Sequence, residues 1–169
     1  VIAIGGAGMS AVARLLLARG VQVSGSDRAD SGTLEALRDL GATVWLGHDP
    51  SHVAGADTVV VSSAVPDDNS ELAAARERGV RVLHRAQALA AVTRDRTRIA
   101  IAGANGKTTT TSMVTVALAG VGRDPVYACG GEIAQLGSNA AWWSGPEAVI
   151  EADESDGSFI VYAPDIAVV

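Results

Sequence analysis

Lysine is almost missing from this chain. Of 13 basic residues 12 are arginine, and the one lysine is Lys107. Such a bias is most simply one of nucleotide composition, so the single position that has kept Lys carries information. Cysteine occurs once, at Cys129, which rules out an internal disulfide and suits a reducing compartment. Aromatic residues make up 4%, too few for a wall of rings stacking on single-stranded nucleic acid. A basic surplus is also absent: the net charge of −6 argues against a duplex-binding surface. No apolar run approaches the ~18 residues that a membrane span needs. The chain lacks an initiator Met and any signal-peptide pattern, and Val1 stands inside an apolar run. Ile166-Ala167-Val168-Val169 reads as a buried strand at the other end. Both features predict the front part of a longer protein. What is abundant is apolar residue, 48% of 169, enough for a packed core and against disorder.

The apolar residues alternate between strand-like runs and helical spacing. Strands are expected at Val1 to Ile4, Val21 to Ser24, Thr43 to Leu46, Thr58 to Val61 and Val80 to Leu83. Helices are expected at Met9 to Arg19, Leu34 to Leu40, Pro66 to Arg78 and Ala86 to Val92, with Gly20, Gly41 and Gly79 as stops. This alternation predicts an α/β fold, a Rossmann-like doubly wound parallel sheet. The polar run Arg94-Asp95-Arg96-Thr97 marks a boundary between domains at 1–93 and 97–169. The second begins as a P-loop-type α/β unit. It has a strand at Arg98 to Ala102, a loop at Gly103 to Gly106 and a helix at Lys107 to Ala119. Strands at Val126 to Ala128, Ala148 to Ala152 and Ile166 to Val169 follow, and Gly130 to Gly145 reads as irregular.

Three stretches carry chemistry. Gly5-Gly6-Ala7-Gly8 has the spacing of a dinucleotide-binding loop, with Ala3 where the first Gly of that pattern belongs. Such a loop turns backbone N–H groups towards a pyrophosphate at a helix N-terminus. Asp27 follows Gly8 by 19 residues, at the end of the second strand, where an acid commonly meets a ribose or base. A tight turn without a ligand is the plainer explanation of this loop, and the loop alone does not separate NAD from another diphosphate nucleotide. Gly103-Ala104-Asn105-Gly106-Lys107-Thr108-Thr109 lies between an apolar strand and a helix, as a phosphate loop must. It has the shorter G-x-x-G-K-T form, since Ile101 stands where the longer pattern has its first Gly. Lys107 supplies a compact charge for terminal phosphates, and Thr108 a hydroxyl for Mg²⁺. Glu151-Ala152-Asp153-Glu154-Ser155-Asp156 puts four acids in six residues at a strand end. It reads either as a solvated acidic turn or as a source of one metal ligand near the phosphate loop. His48, His52 and His84 have no metal-ligand spacing. Cys129 reads as packing, and Trp142-Trp143 as packing or as a contact with the expected remainder of the protein.

Taken in order, these stretches resemble the Mur ligases, amide-forming enzymes of peptidoglycan precursor synthesis. The resemblance rests on Gly5-Gly6-Ala7-Gly8-Met9-Ser10, Val23-Ser24-Gly25-Ser26-Asp27, Ser62-Ser63-Ala64-Val65, Gly106-Lys107-Thr108-Thr109-Thr110-Thr111 and Glu151 to Phe159. There are two departures: Ala3 for the family's Gly, and Ala104-Asn105 for its usual Thr-His. The resemblance implies a cytoplasmic enzyme with ATP and Mg²⁺ as cofactors and UDP-N-acetylmuramate and L-alanine as substrates. ATP phosphorylates the muramyl carboxylate, and the alanine amine then displaces phosphate. By position, Gly5, Gly6, Ala7, Gly8, Met9, Ser10, Asp27, Ser62 and Ser63 would bind the UDP-sugar. Gly103, Asn105, Gly106, Lys107, Thr108 and Thr109 would bind ATP. Thr108 and Glu151 would hold the metal, and Lys107 would be catalytic. No nucleic-acid or membrane partner is implied. A ligase that recycles whole tripeptides onto the same sugar nucleotide, an NAD(P)-binding oxidoreductase and a non-catalytic nucleotide-binding module stay open at this point. The first of these is expected to differ in its first loop, and the oxidoreductase gives Lys107 and Glu151 no role.

Overall fold

The computed structural model describes residues 1–152 and 158–169. Residues 1–6 lead into helix α1 (Ala7–Ala18), followed by β1 (Ser24–Asp27), α2 (Gly32–Asp39), β2 (Thr43–Leu46) and a 3₁₀ turn at Pro50–Val53. Next come β3 (Thr58–Val61), α3 (Ser70–Glu77), β4 (Arg81–His84) and α4 (Arg85–Val92). Strand β1 pairs in parallel with β2, and β3 with β4. The opening segment joins the two pairs. Ile2 N–H donates to the Val60 carbonyl at 3.0 Å, Ile4 N–H to that of Ser26 at 2.9 Å, and Ser26 N–H to that of Val1 at 3.1 Å. The result is one continuous parallel layer, β2, β1, residues 1–4, β3, β4, as the alternating pattern predicts.

Only Ile2 of the first expected strand forms a regular bridge, because Ala3, with φ +57°, interrupts the extended backbone before Ile4 bonds back to Ser26. Alanine in this left-handed region costs roughly 1–2 kcal/mol. It stands where the Mur pattern has glycine, which takes that conformation freely. Ala3→Gly is therefore expected to raise stability, by about 0.5 kcal/mol once the greater freedom of glycine in the unfolded chain is subtracted. Urea denaturation checks this, with Ala3→Val as the opposite control. A lower midpoint for the glycine variant would refute the strain.

Other boundaries move for local reasons. Strand β1 starts at Ser24, because its register pairs Ser24 with Thr43 and Asp27 with Leu46. Helix α3 begins after Pro66-Asp67-Asp68, since the Asn69 side chain caps it, accepting from the N–H groups of Glu71 and Leu72 at 3.0 and 3.1 Å.

The second sheet contains β5 (Thr97–Ile101), β6 (Val126–Ile133), β7 (Ser138–Ala141), β8 (Glu147–Glu151) and β9 (Ile166–Val168), with α5 (Lys107–Gly120) after β5. Its order is β7-β6-β8-β5-β9, parallel except for the β6–β7 hairpin. Two expectations fail here. The Gly-rich stretch 130–145 is largely this hairpin; a register shift between Ala128 and Ile133 absorbs Gly130-Gly131 without ending the strand. And β9, expected as a buried strand, is exposed along its length, with Ile166 half exposed and β5 its one strand partner among the described residues. No described helix is long and apolar enough to cross a membrane.

Helix α1 lies between the two sheets and is buried on both sides. Ala13 packs with Ile4, Val23, Leu34 and Leu37. Met9, Val12 and Leu15 share a cluster with Leu89 and Val92 of α4, Val126 and Ala128 of β6, and Ile150 of β8. Trp142, after β7, is flanked by the guanidinium groups of Arg19 and Arg96 at 4.8 and 5.0 Å. This contact explains the Trp as packing. The C-terminal end of α1 and the approach to β5 are thereby joined through Trp142.

Candidate functional site

The first loop ends on Gly6, which caps α1 with no side-chain hydrogen bond. The N–H groups of the first turn have no intrahelical partner and carry the positive end of the helix dipole. Asp27 sits beside them. Its Oδ2 accepts the Gly5 N–H at 2.8 Å and its Oδ1 the Arg28 N–H at 2.7 Å. A Cβ on Gly5 would lie 2.9 Å from Asp27 Oδ2, so the approach requires glycine. Ser62 and Ser63 follow the C-terminal end of β3, the sheet end that also carries Asp27. Gly5, Gly6, Ala7, Gly8, Met9, Ser10 and Asp27 thus come together, and the two serines stand on the same rim.

Arg85 is an arrival that the sequence did not announce. A Cβ on Gly8 would overlap its Nη1 and lie 2.9 Å from its Cδ. A guanidinium therefore rests on the glycine loop, brought there by the start of α4.

The second loop stands at the C-terminal end of β5. Gly103 and Gly106 have φ of +130° and +79°, and Gly106 caps α5 in the left-handed conformation. Lys107 Nζ reaches back to the Gly103 carbonyl at 2.7 Å, arching over the loop. Thr108 Oγ1 donates to Glu151, lying 3.2 and 3.1 Å from its two carboxylate oxygens. Gly130 N–H donates to Glu151 Oε2 at 2.7 Å, and a Cβ there would stand 2.9 Å from both oxygens. Parallel pairing of β5 with β8 sets Ile101 opposite Glu151 and so brings this acid to the loop. A hydroxyl and a carboxylate are the hard oxygen donors that Mg²⁺ prefers beside phosphate, so the residues fit a nucleotide–metal pair. Asn105 and Thr109 are exposed on the loop and the first turn. Asp153, Glu154, Ser155 and Asp156 lie outside the described residues. Among those described, no group of three His, Cys, Asp or Glu side chains is arranged to hold a metal by itself.

Cys129 lies under this site, 3.7 Å from Glu151 Oε2 and 3.6 Å from the Thr108 carbonyl. Burial pushes its thiol pKa up, away from the reactive thiolate, and the side chain packs with Tyr127 and Val149. The histidines gain a role that their spacing did not signal. Glu71, fully buried, accepts from Ser26 Oγ at 2.5 Å, His48 Nδ1 at 2.8 Å and His52 Nδ1 at 2.7 Å. His52 also stacks on Trp45 with ring centroids 4.4 Å apart. Ser26 lies in β1, His48 follows β2, His52 lies in the 3₁₀ turn and Glu71 in α3, so no local pattern in the sequence marks the cluster.

A family model described as the Mur ligase family, catalytic domain, matches residues 1–97. UDP-N-acetylmuramate–L-alanine ligase of Nocardioides sp. is 58% identical over 168 residues, 99% of this chain and 38% of that protein. The ligase of the same name from Renibacterium salmoninarum is 55% identical, with 99% and 36% covered. The solved UDP-N-acetylmuramate–alanine ligase of Thermotoga maritima superposes with a TM-score of 0.90 at 32% identity, over 98% of this chain and 39% of that one. UDP-N-acetylmuramate:L-alanyl-γ-D-glutamyl-meso-diaminopimelate ligase of Neisseria meningitides gives 0.92 at 29%, over 99% and 58%. The chain spans a little over a third of the length of these curated relatives.

Proposed function

The chain belongs to the Mur ligase family, and from that premise we propose that it supplies the UDP-sugar and phosphate-loop parts of an ATP-dependent ligase joining L-alanine to UDP-N-acetylmuramate. The observation that carries this reading is the convergence of Thr108 and Glu151 beside the Lys107 loop. A nucleotide-binding fold used for hydride transfer has no need of that arrangement. Curated relatives at 50–58% identity bear the alanine ligase name, which favours alanine over a tripeptide.

In this reading residues 1–93 bind the UDP part. The first turn of α1 takes the diphosphate, and Asp27, already fixed by Gly5, faces the uridine with Ser62 and Ser63 on the rim. Residues 97–169 hold ATP on Gly103, Asn105, Gly106, Thr108 and Thr109. An oxygen of the muramyl carboxylate attacks the γ-phosphorus and ADP leaves. The alanine amine then adds to the acyl carbon, loses a proton and expels phosphate. Lys107 leaves the Gly103 carbonyl for the γ-phosphoryl oxygens, where its charge matters most as negative charge shifts. Thr108 and Glu151 would hold Mg²⁺, which when bound neutralises phosphate charge.

The test is phosphate release by the full-length protein with ATP, Mg²⁺ and UDP-N-acetylmuramate, comparing L-alanine with other amino acids and the tripeptide. Release with L-alanine is expected. Release with the tripeptide alone, or NADH binding tighter than the sugar nucleotide in calorimetry, overturns the reading. Glu151→Gln is further expected to raise the Mg²⁺ concentration for half-activity about tenfold, equivalent to ~1.4 kcal/mol. Asp156→Asn is the comparison; if it produces the shift and Glu151→Gln does not, Glu151 is the wrong ligand.

A further inference from the structure

We propose that Asn139 is a positioning residue that clamps the β6–β7 hairpin onto the sugar-nucleotide loop and so sets the path of the acyl-bearing sugar to the phosphate loop; this rests on the ligase reading above. The Asn139 Nδ2 donates to the Ala7 carbonyl at 2.8 Å and to Ser10 Oγ at 3.1 Å. Ser10 Oγ in turn donates to the same Ala7 carbonyl at 2.9 Å. One carboxamide thus grips the first turn of α1 across 132 positions of sequence. The orientation of the amide is fixed by chemistry, since the reverse flip would set Oδ1 against the Ala7 carbonyl. With both amide hydrogens engaged, Oδ1 accepts from no described residue and is left for a hydroxyl or amide N–H of the sugar.

The same hairpin touches the other site. Gly130, on β6, donates its N–H to Glu151 Oε2, and the ladder is interrupted between Ala128 and Ile133. The glycine strip therefore begins at the proposed metal ligand. It ends at a pocket of about 180 Å³ whose walls are Gly5, Ala7 and Ser10 on one side and Gly131, Ser138 and Asn139 on the other. In the ligase reading the diphosphate would lie on the Gly5–Ser10 side of this pocket, and β6 runs from its Gly131 wall to Gly130, which touches Glu151 beside the phosphate loop. Phosphoryl transfer needs reacting atoms about 3–3.5 Å apart, and a 1 Å error can cost 10²-fold. The Arg19 and Arg96 contacts with Trp142 hold the C-terminal end of α1. At the substrate end, among the described residues, the polar link is Asn139.

The experiment uses full-length protein. Asn139→Asp keeps the shape but replaces the donor with a carboxylate facing the Ala7 carbonyl; Asn139→His keeps a donor. Asn139→Asp is expected to lower kcat/KM for UDP-N-acetylmuramate about 10²-fold, with the KM for ATP within twofold and an unchanged unfolding midpoint. Asn139→His is expected to restore activity to within tenfold of the parent. If the parent ligates alanine and Asn139→Asp stays within threefold of it, the inference fails and the ligase reading stands. Equal loss of ATP and sugar affinity together with a lowered unfolding midpoint, in both variants, assigns Asn139 to structure alone and also overturns the inference. A parent that releases no phosphate overturns both.

Discussion

Lys107→Arg in the full-length protein is expected to lower kcat for alanine ligation by about 10²-fold while leaving affinity for the sugar nucleotide unchanged. Charge is conserved, so the loss must come from shape. The Lys107 side chain folds back over its own loop, with Nζ 2.7 Å from the Gly103 carbonyl. Gly103 and Gly106 both have positive φ, which turns the loop back on itself so that the Gly103 carbonyl faces the ammonium. An ammonium on a flexible stem fits that arch and can swing from the carbonyl to a phosphate oxygen. A guanidinium is wider, planar and bound to a fixed fork of donors. Seated in the same loop it places its charge about 1 Å or more from the required position, the error for which a 10²-fold loss is typical. That factor corresponds to about 2.7 kcal/mol of transition-state stabilisation. The sugar nucleotide is the control because its proposed loop, Gly5 to Ser10, belongs to the other sheet. Were Lys107 an ordinary residue in the first turn of α5, arginine would be nearly silent. A kcat within twofold of the parent would establish that and remove the catalytic role.

What could be read from sequence, and what could not, divides along physical lines. A strand buried at its centre is a continuous apolar run, so β3 is legible at its full length from Thr58 to Val61; β2, Thr43 to Leu46, is half exposed and is legible from its β-branched and aromatic residues between Gly41 and Gly47. The phosphate loop is legible for a different reason: glycine backbone freedom and a helix start must be written in consecutive residues. That one acid of 151–156 would come to this loop followed from the rule that parallel strands present their C-terminal ends to one crevice, while the choice of Glu151 came from the family resemblance. The β6–β7 hairpin was not legible, because glycines that signal a turn can also sit in a bulge opposite a shifted partner. Nor was the place of β9 beside β5, since strand order is not written in one dimension. The grip of Asn139 on Ala7, the seating of Arg85 on Gly8 and the gathering of Ser26, His48, His52 and Glu71 depend on tertiary approach. No spacing rule encodes these.

That last cluster carries the second large expected effect. Glu71→Gln is expected to destabilise the protein by about 2–3 kcal/mol, and Glu71→Ala by about 3–5 kcal/mol. Glu71 is 1% exposed and lies in the first turn of α3, where the helix dipole favours negative charge. Its two oxygens are acceptors only, and three donors meet them: Ser26 Oγ, His48 Nδ1 and His52 Nδ1. Glutamine keeps the volume but turns one acceptor into a donor pair. One histidine can change tautomer to accept from it, and the other contacts remain, so the cost stays near that of a single charge-assisted hydrogen bond. Alanine removes both carboxylate acceptors, leaving Ser26 Oγ and His48 Nδ1, 3.1 Å apart, only each other, and His52 Nδ1 without this acceptor. The damage also has a direction. Ser26 precedes Asp27 in β1, and His48 and His52 tie down the segment after β2, so a loosened cluster frees the rim on which the uridine is proposed to sit. Urea denaturation of the two variants, read together with sugar-nucleotide affinity, provides the test. The expected order is parent, glutamine, alanine in stability, with affinity for the sugar nucleotide falling and that for ATP held. A Glu71→Gln variant within about 0.5 kcal/mol of the parent, the range of an ordinary surface substitution, would show that the three donors do not depend on the carboxylate.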